Sequence, residues 1–211
     1  MANYCSNSFT YYGDDVDQLI YLFLKIQEGC SIAGSGDAKP LLSALGADPK
    51  DIDALDGRTT VSDLRLVTED GGKKVVGVQI DAESAWSPCE DFALTLLQTI
   101  LPGGGDIKMC YIAEELGCEI FINTDEDRRF YKTVLNVDIR VPAEGIEDNY
   151  YYDDSELDSA FDLIKNVSGC EVSSLEELKD PVILDKIEKG FKEKYPDNEE
   201  EYLSIHTYTL R

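Results

Sequence analysis

The sequence predicts an α+β fold: an antiparallel sheet with helices on one face, followed by an acidic, mainly helical region that ends in a strand. Three observations carry this expectation. Apolar residues alternate at period two in several segments, two other segments place them at helical spacing, and the charge balance shifts near Pro142. With 43% hydrophobic and 29% charged residues, the 211-residue chain is globular rather than disordered. It is long enough to bury roughly 70% of its unfolded surface.

Residues 3–12 read as the first strand, with Cys5, Asn7, Phe9 and Tyr11 on one face. Gly13 breaks it, and Asp14 or Asp15 is placed to cap a helix running to about Glu28. Val16, Leu19, Ile20, Phe23 and Ile26 fall on one stripe of that helix. Residues 29–58, rich in Gly, Ala and Asp, read as an insertion outside the core, with a short helix at 39–45 closed by Gly46. Segments 61–67 and 74–83 form a hairpin, because Asp70-Gly71-Gly72 supplies residues that tolerate a turn's backbone. The second arm alternates cleanly, with Val76, Val78, Ile80 and Ala82 inward against Gln79, Asp81 and Glu83.

Ser87-Pro88 opens a second helix, proline being tolerated in a first turn. Its stripe is Cys89, Phe92, Ala93, Leu96, Leu97 and Ile100, and residues 102–105 end it. Segments 107–113 and 118–124 pair across Glu115-Leu116-Gly117, and 131–141 is a further strand. The order β-α-(insertion)-β-β-α-β, with added strands, is the split βαβ, ferredoxin-like arrangement over residues 1–141. Beyond it, 155–167 and 175–195 read as helical, the latter interrupted at Pro181, and 202–210 closes the 142–211 extension as a strand.

The formal charge is −24, from 43 acids and 19 bases. Such a chain repels phosphate backbones and anionic membrane surfaces. The expected partner is therefore a basic protein surface, with no direct nucleic acid and no membrane. Residues 1–140 carry 24 acids and 12 bases, and residues 141–201 carry 19 and 6, so the shorter segment is about twice as acidic per residue. No apolar run approaches the roughly 20 residues of a membrane-spanning helix. The opening lacks the basic flank and apolar run of a secretory signal. Six cysteines without a C-x-x-C spacing read as reduced thiols, and the expectation is a cytoplasmic protein with no metal and no cofactor.

Met1-Ala2-Asn3-Tyr4-Cys5-Ser6-Asn7 is similar to the M-x-N-W-C-x-N opening of the YubB-like ferredoxin-fold proteins. Ala85-Trp86-Ser87-Pro88-Cys89 resembles their T-x-W-S-P segment at the start of the second helix. Ala113-Glu114-Glu115-Leu116-Gly117-Cys118, with Asn123-Thr124-Asp125, resembles their A-E-E-P-G turn and the strand after it. The likeness covers about residues 1–140. Tyr4 stands where the family has Trp, and Leu116 where it has Pro. The resemblance implies a ferredoxin-like fold in the company of plasmid, phage and gut-bacterial proteins. It implies no activity, because the family has none assigned.

Two sets of residues are candidates for function. Asn3, Cys5, Asn7, Trp86 and Cys89 meet if the first strand approaches the start of the second helix. There the helix dipole lowers a thiol pKa. A nucleophile also needs a base, and the lone His206 is distant in sequence; Cys89 equally fits the apolar stripe. The second set joins aromatics to acids: Asp148, Tyr150, Tyr151, Tyr152, Asp153, Asp154, Glu156, Asp158 and Asp162, the last five decorating a helix. These read either as a solvated face or as carboxylates that imitate nucleic-acid phosphates in a basic cleft. The Asp51-x-Asp53-x-x-Asp56-Gly57 and Asn123-x-Asp125-x-Asp127 runs miss the spacing of a calcium loop. Gly34-Ser35-Gly36 and Gly103-Gly104-Gly105 lack the setting of a phosphate loop. The leading expectation is a non-enzymatic, acidic interaction protein, in its sharpest form an inhibitor of a host defence nuclease. The alternative is a small-molecule-binding or catalytic domain using the Cys5, Trp86 and Cys89 region.

Overall fold

The computed structural model describes residues 4–55, 58–103, 105–196 and 200–210. Asn3 lies outside the described residues. The chain is α+β and divides into two compact units, Met1–Asp125 and Glu126–Arg211.

In the first unit, β1 (Tyr4–Tyr12) is followed by α1 (Val16–Ala33), α2 (Ala38–Leu45) and α3 (Pro49–Ala54). Then come β2 (Thr59–Glu69), β3 (Lys74–Ala85), α4 (Glu90–Ile100), β4 (Lys108–Glu115) and β5 (Ile120–Asn123). The five strands run in the order β2-β3-β1-β4-β5, with every neighbouring pair antiparallel. β1 lies inside this sheet, nine residues in register with β3 and seven with β4. Its inward row is buried as alternation predicts: Cys5, Asn7, Phe9 and Tyr11. The tyrosine is fully buried because its hydroxyl donates to the Ala93 carbonyl at 2.7 Å, which ties α4 to the central strand.

Local signals set most boundaries. The Asp15 carboxylate accepts from the Gln18 amide at 3.1 Å and starts α1, and Gly34, at φ 67°, ends it. Asp70 and the two glycines after it all take positive φ in the β2–β3 turn. Pro88 lies outside the second long helix rather than in its first turn, because α4 begins at Glu90 with Cys89 at the N-cap.

Three further expectations about the fold need correcting. The buried stripe of α1 is Leu19, Leu22, Ile26 and Gly29, so Ile20 turns outward. The 29–58 region is not an appendage, since Leu41 and Leu42 of α2 are fully buried in the main core with Phe9, Leu22, Phe92 and Leu96. The reason lies at Gly29, where an added Cβ would come within 2.7 Å of Leu41 and 2.8 Å of Leu45. The missing side chain lets α2 sit directly on α1.

The third correction concerns the boundary. β6 (Thr133–Val141) is the middle strand of a second sheet, between β7 (Ile146–Asp153) and β8 (Tyr202–Thr207), and it belongs to the second unit. α5 (Leu157–Ser168) and α6 (Pro181–Lys194) complete that unit. Leu135, Val137, Ile139 and Val141 on β6 are fully buried, and they gather Ala160, Ile164, Ile187 and Phe191 from the two helices. The division therefore falls at residue 125, before the composition shift at Pro142. Counted by unit, the first carries 21 acids and 8 bases, net −13, and the second 22 and 11, net −11. The acidity is chain-wide, and the apparent contrast came from leaving Arg128, Arg129, Lys132 and Arg140 on the wrong side.

A core role for α2 sets a magnitude. Leu41→Ala should cost about 2–5 kcal/mol in urea unfolding. A loss below about 0.5 kcal/mol, the scale of a surface substitution, would return the segment to the status of an appendage.

Candidate functional site

β1, the end of β3 and the start of α4 meet around Asn7, which is only 4% exposed. Its Nδ2 donates to the Cys5 carbonyl at 2.8 Å, to Ser84 Oγ at 2.9 Å and to the Ala82 carbonyl at 3.4 Å. Its Oδ1 accepts the Cys89 amide at 3.2 Å. Ser84 Oγ in turn donates to the Ser87 carbonyl at 2.6 Å. The Asn7 amide group thus fastens the entrance of α4 to the central strand, an arrangement that leaves no polar atom of this side chain unpaired.

The structure brings Cys5, Asn7 and Cys89 together as the sequence suggests, but not as an activated nucleophile. Burial pushes the Cys5 thiol up to about 12, with the nearby Cys89 and Glu115 adding to the effect. Burial likewise pushes Cys89 up to about 11, and hydrogen bonds from Ser84 and Thr59 only partly offset it. Desolvation therefore outweighs the helix-terminus effect on which a reactive Cys89 depends. His206 is in β8, with its Nε2 2.7 Å from Ser204 Oγ, so it belongs to the other unit. Among the described residues no group of three or more His, Cys, Asp or Glu side chains is placed to hold a metal ion.

Trp86 does not join this group. It is 57% exposed and has φ 72°, while the Ser87 amide donates to the Ala85 carbonyl at 3.0 Å. These features define a γ-turn of the rare, positive-φ kind, a conformation bulky residues seldom hold. Beside it, Ser87 and Cys89 line a cavity of about 400 Å³ together with Lys39, Arg58, Thr59 and Phe92. Sequence reasoning missed Lys39, Arg58 and Thr59, since only the pairing of β2 with β3 and the packing of α2 bring them here.

The acidic set is divided by strand alternation. Asp148 to Asp153 lie on β7, not on a helix. Tyr150 and Tyr152 point toward the core of the second unit, with rings 6.1 Å apart, opposite Val137 and Leu135. Tyr151 projects to the other side, where Asn149 Nδ2 lies 3.1 Å from its hydroxyl. Asp153 and Glu156 are engaged in the turn before α5. The Asp153 carboxylate accepts from the Ser155 amide and hydroxyl, contacts that hold it below the usual carboxylate range, and Glu156 accepts from the Asp153 amide. Asp154 pairs with Arg128 at 3.0 Å. Asp158 and Asp162 stand exposed one turn apart on α5, with no ion pair among the described residues.

No helix among the described residues is long and apolar enough to cross a membrane. Comparison with protein-family models, with curated proteins and with solved structures returns no match.

Three outcomes follow from this geometry. With iodoacetamide at pH 8, exposed Cys118 should label first, while Cys5 and Cys89 should stay unlabelled until denaturant is added. Rapid modification of Cys89 under native conditions would contradict its burial. Both thiols are neutral in the fold and ionise near 9 once exposed, so their contribution to stability is complete below pH 9 and drains away between 9 and about 11–12. Trp86→Gly should raise stability by about 1 kcal/mol in urea unfolding. The strain relieved, of order 1–3 kcal/mol, exceeds the roughly 0.5–1 kcal/mol of extra chain entropy that glycine costs. A destabilised variant would show that the indole is held by contacts worth more than the strain.

Proposed function

We propose that this chain is a non-enzymatic, acidic interaction protein that binds a basic protein surface from a ferredoxin-like platform of the YubB-like kind. Support for the platform comes from the strand order β4-β1-β3-β2 with α1 and α4 as crossovers, the split βαβ order with β5 added beside β4. The family likeness rests on the three short stretches quoted above.

The observation that carries the function is a surplus of carboxylates that the chain's own cations do not neutralise. In the second unit Arg128, Arg140, Lys165, Lys179, Lys189, Lys192 and Lys194 each already face a carboxylate. Asp158 and Asp162 form no ion pair among the described residues, and at four residues' separation they stand about 6 Å apart along α5. Fields of this sign attract cationic surfaces and speed encounter with them. In its sharpest form the partner is a host nuclease whose cleft takes carboxylates in place of phosphates.

The second reading, a small-molecule site, is favoured by one observation: the cavity beside Cys89 has the roughly 300–1,000 Å³ size of ligand pockets.

The experiment is capture from a host lysate with the tagged full chain, washed at low and high salt. A near-stoichiometric basic protein should be retained at low salt, released at high salt, and held less well by Asp158→Asn/Asp162→Asn. No partner at low salt, or one indifferent to salt, would overturn the proposal.

A further inference from the structure

α1 carries large apolar residues on both faces. Leu19, Leu22 and Ile26 are buried, yet Ile20, Tyr21, Leu24 and Ile32 are 36%, 46%, 53% and 65% exposed. At 3.6 residues per turn these four share the face that also bears Asp17 and Glu28. Large apolar residues left exposed on the outer face of a helix whose inner face is already packed mark an interaction site. Beside the stripe runs a groove of about 240 Å³ between Tyr21, Lys25, Glu28 and Ile32 on α1 and Leu45 and Ile100 opposite.

We infer that this face and its groove seat a cationic amphipathic helix of the partner protein, an inference that rests on the basic-partner reading above. Charge decides the occupant. The unit is net −13. Asp14, Asp15 and Asp17 crowd the start of α1, and no base stands in its last turn, so the negative end of the helix dipole is uncompensated. Lys25, the one cation along this helix, is already held by Glu28 at 2.6 Å. A second copy would bring another −24 to a surface that is already acidic, whereas a helix with leucines on one side and lysines flanking them answers both features.

The test uses an 18-residue helical peptide of leucine and lysine with its leucines on one face, and a scramble of the same composition. Both are titrated into the full chain at low and at high salt. The amphipathic peptide should bind at least tenfold more tightly than the scramble. Leu24→Ser/Ile32→Ser should erase that difference, and Asp158→Asn/Asp162→Asn should leave it intact. In the wild-type chain the same peptide should protect Tyr21 from side-chain oxidation, a readout that needs no variant. Equal, salt-sensitive binding of both peptides overturns the α1 seat while leaving the basic-partner reading standing; binding of neither overturns both. A dimer in sedimentation that Leu24→Ser/Ile32→Ser dissolves would give the face to a second copy. Retention on neutral phosphatidylcholine vesicles, lost in that variant, would give it to lipid. Either result overturns the inference.

Discussion

The first unit hangs on one constraint, that its N-terminal strand must be an interior strand. β1 is hydrogen-bonded on both sides, so its backbone is satisfied only when β3 and β4 have both arrived. Its inward row then serves as the anchor for the helical layer. Phe9 lies 5.3 Å from the Tyr111 ring, the Tyr11 hydroxyl holds α4 at Ala93, and the Asn7 amide holds the entrance of the same helix at Cys89. Asn7 is thus a polar residue with a packing role. Left unpaired, its amide would cost about 1–3 kcal/mol. Paired four times, it fixes the place where α4 begins, and the strained turn at Trp86 is what remains of the chain between that fixed point and the end of β3.

The same fixed point explains why a thiol at a helix N-terminus is quiet here. The terminal amide of Cys89 is already given to Asn7, and its side chain lies among Thr59, Ser84 and the core rather than in water. A helix dipole contributes roughly 0.3–1 kcal/mol at an exposed site, too little to undo the burial that pushes this thiol up to about 11. Desolvation wins by magnitude, and the location alone says nothing about reactivity.

Much of the fold was legible because it is local. The Asp70-Gly71-Gly72 turn, the Asp15 cap and the alternation of 78–83 each depend on a few neighbouring residues and appear where the sequence puts them, whereas a register shift at Val76 turns Val75 toward the core. What was not legible depends on distant partners. Residues 133–141 alternate like any half-buried strand, and nothing in that alternation says which sheet they join. Residues 146–153 hide a strand because Asp148 occupies a position on the inward row that Ile146, Tyr150 and Tyr152 otherwise fill. The region after α1 looked like an insertion because it is rich in Gly and Asp, whereas its apolar residues are few but wholly buried. In the candidate site, Cys5, Asn7 and Cys89 were readable as a group through the strand and helix they belong to. Lys39, Arg58 and Thr59 were not, since α2 and the start of β2 deliver them from elsewhere in the chain.

The stripe on α1 shows how a conflict between two levels carries information. Judged by pattern alone, Ile20 belongs with Leu19 and Phe23, since a helix with so many apolar residues offers more than one acceptable stripe. Packing resolves the choice in favour of Leu22, because the close approach of α2 at Gly29 fixes which side of α1 faces inward. The residues left over are not surplus core. They are four large side chains facing outward along one helix, in a protein whose net charge opposes self-association. An acidic surface recruits cations without discrimination, and a bare apolar stripe recruits apolar surface without discrimination. Set side by side on one helix, they select for a partner that presents both, and specificity arises from the conjunction.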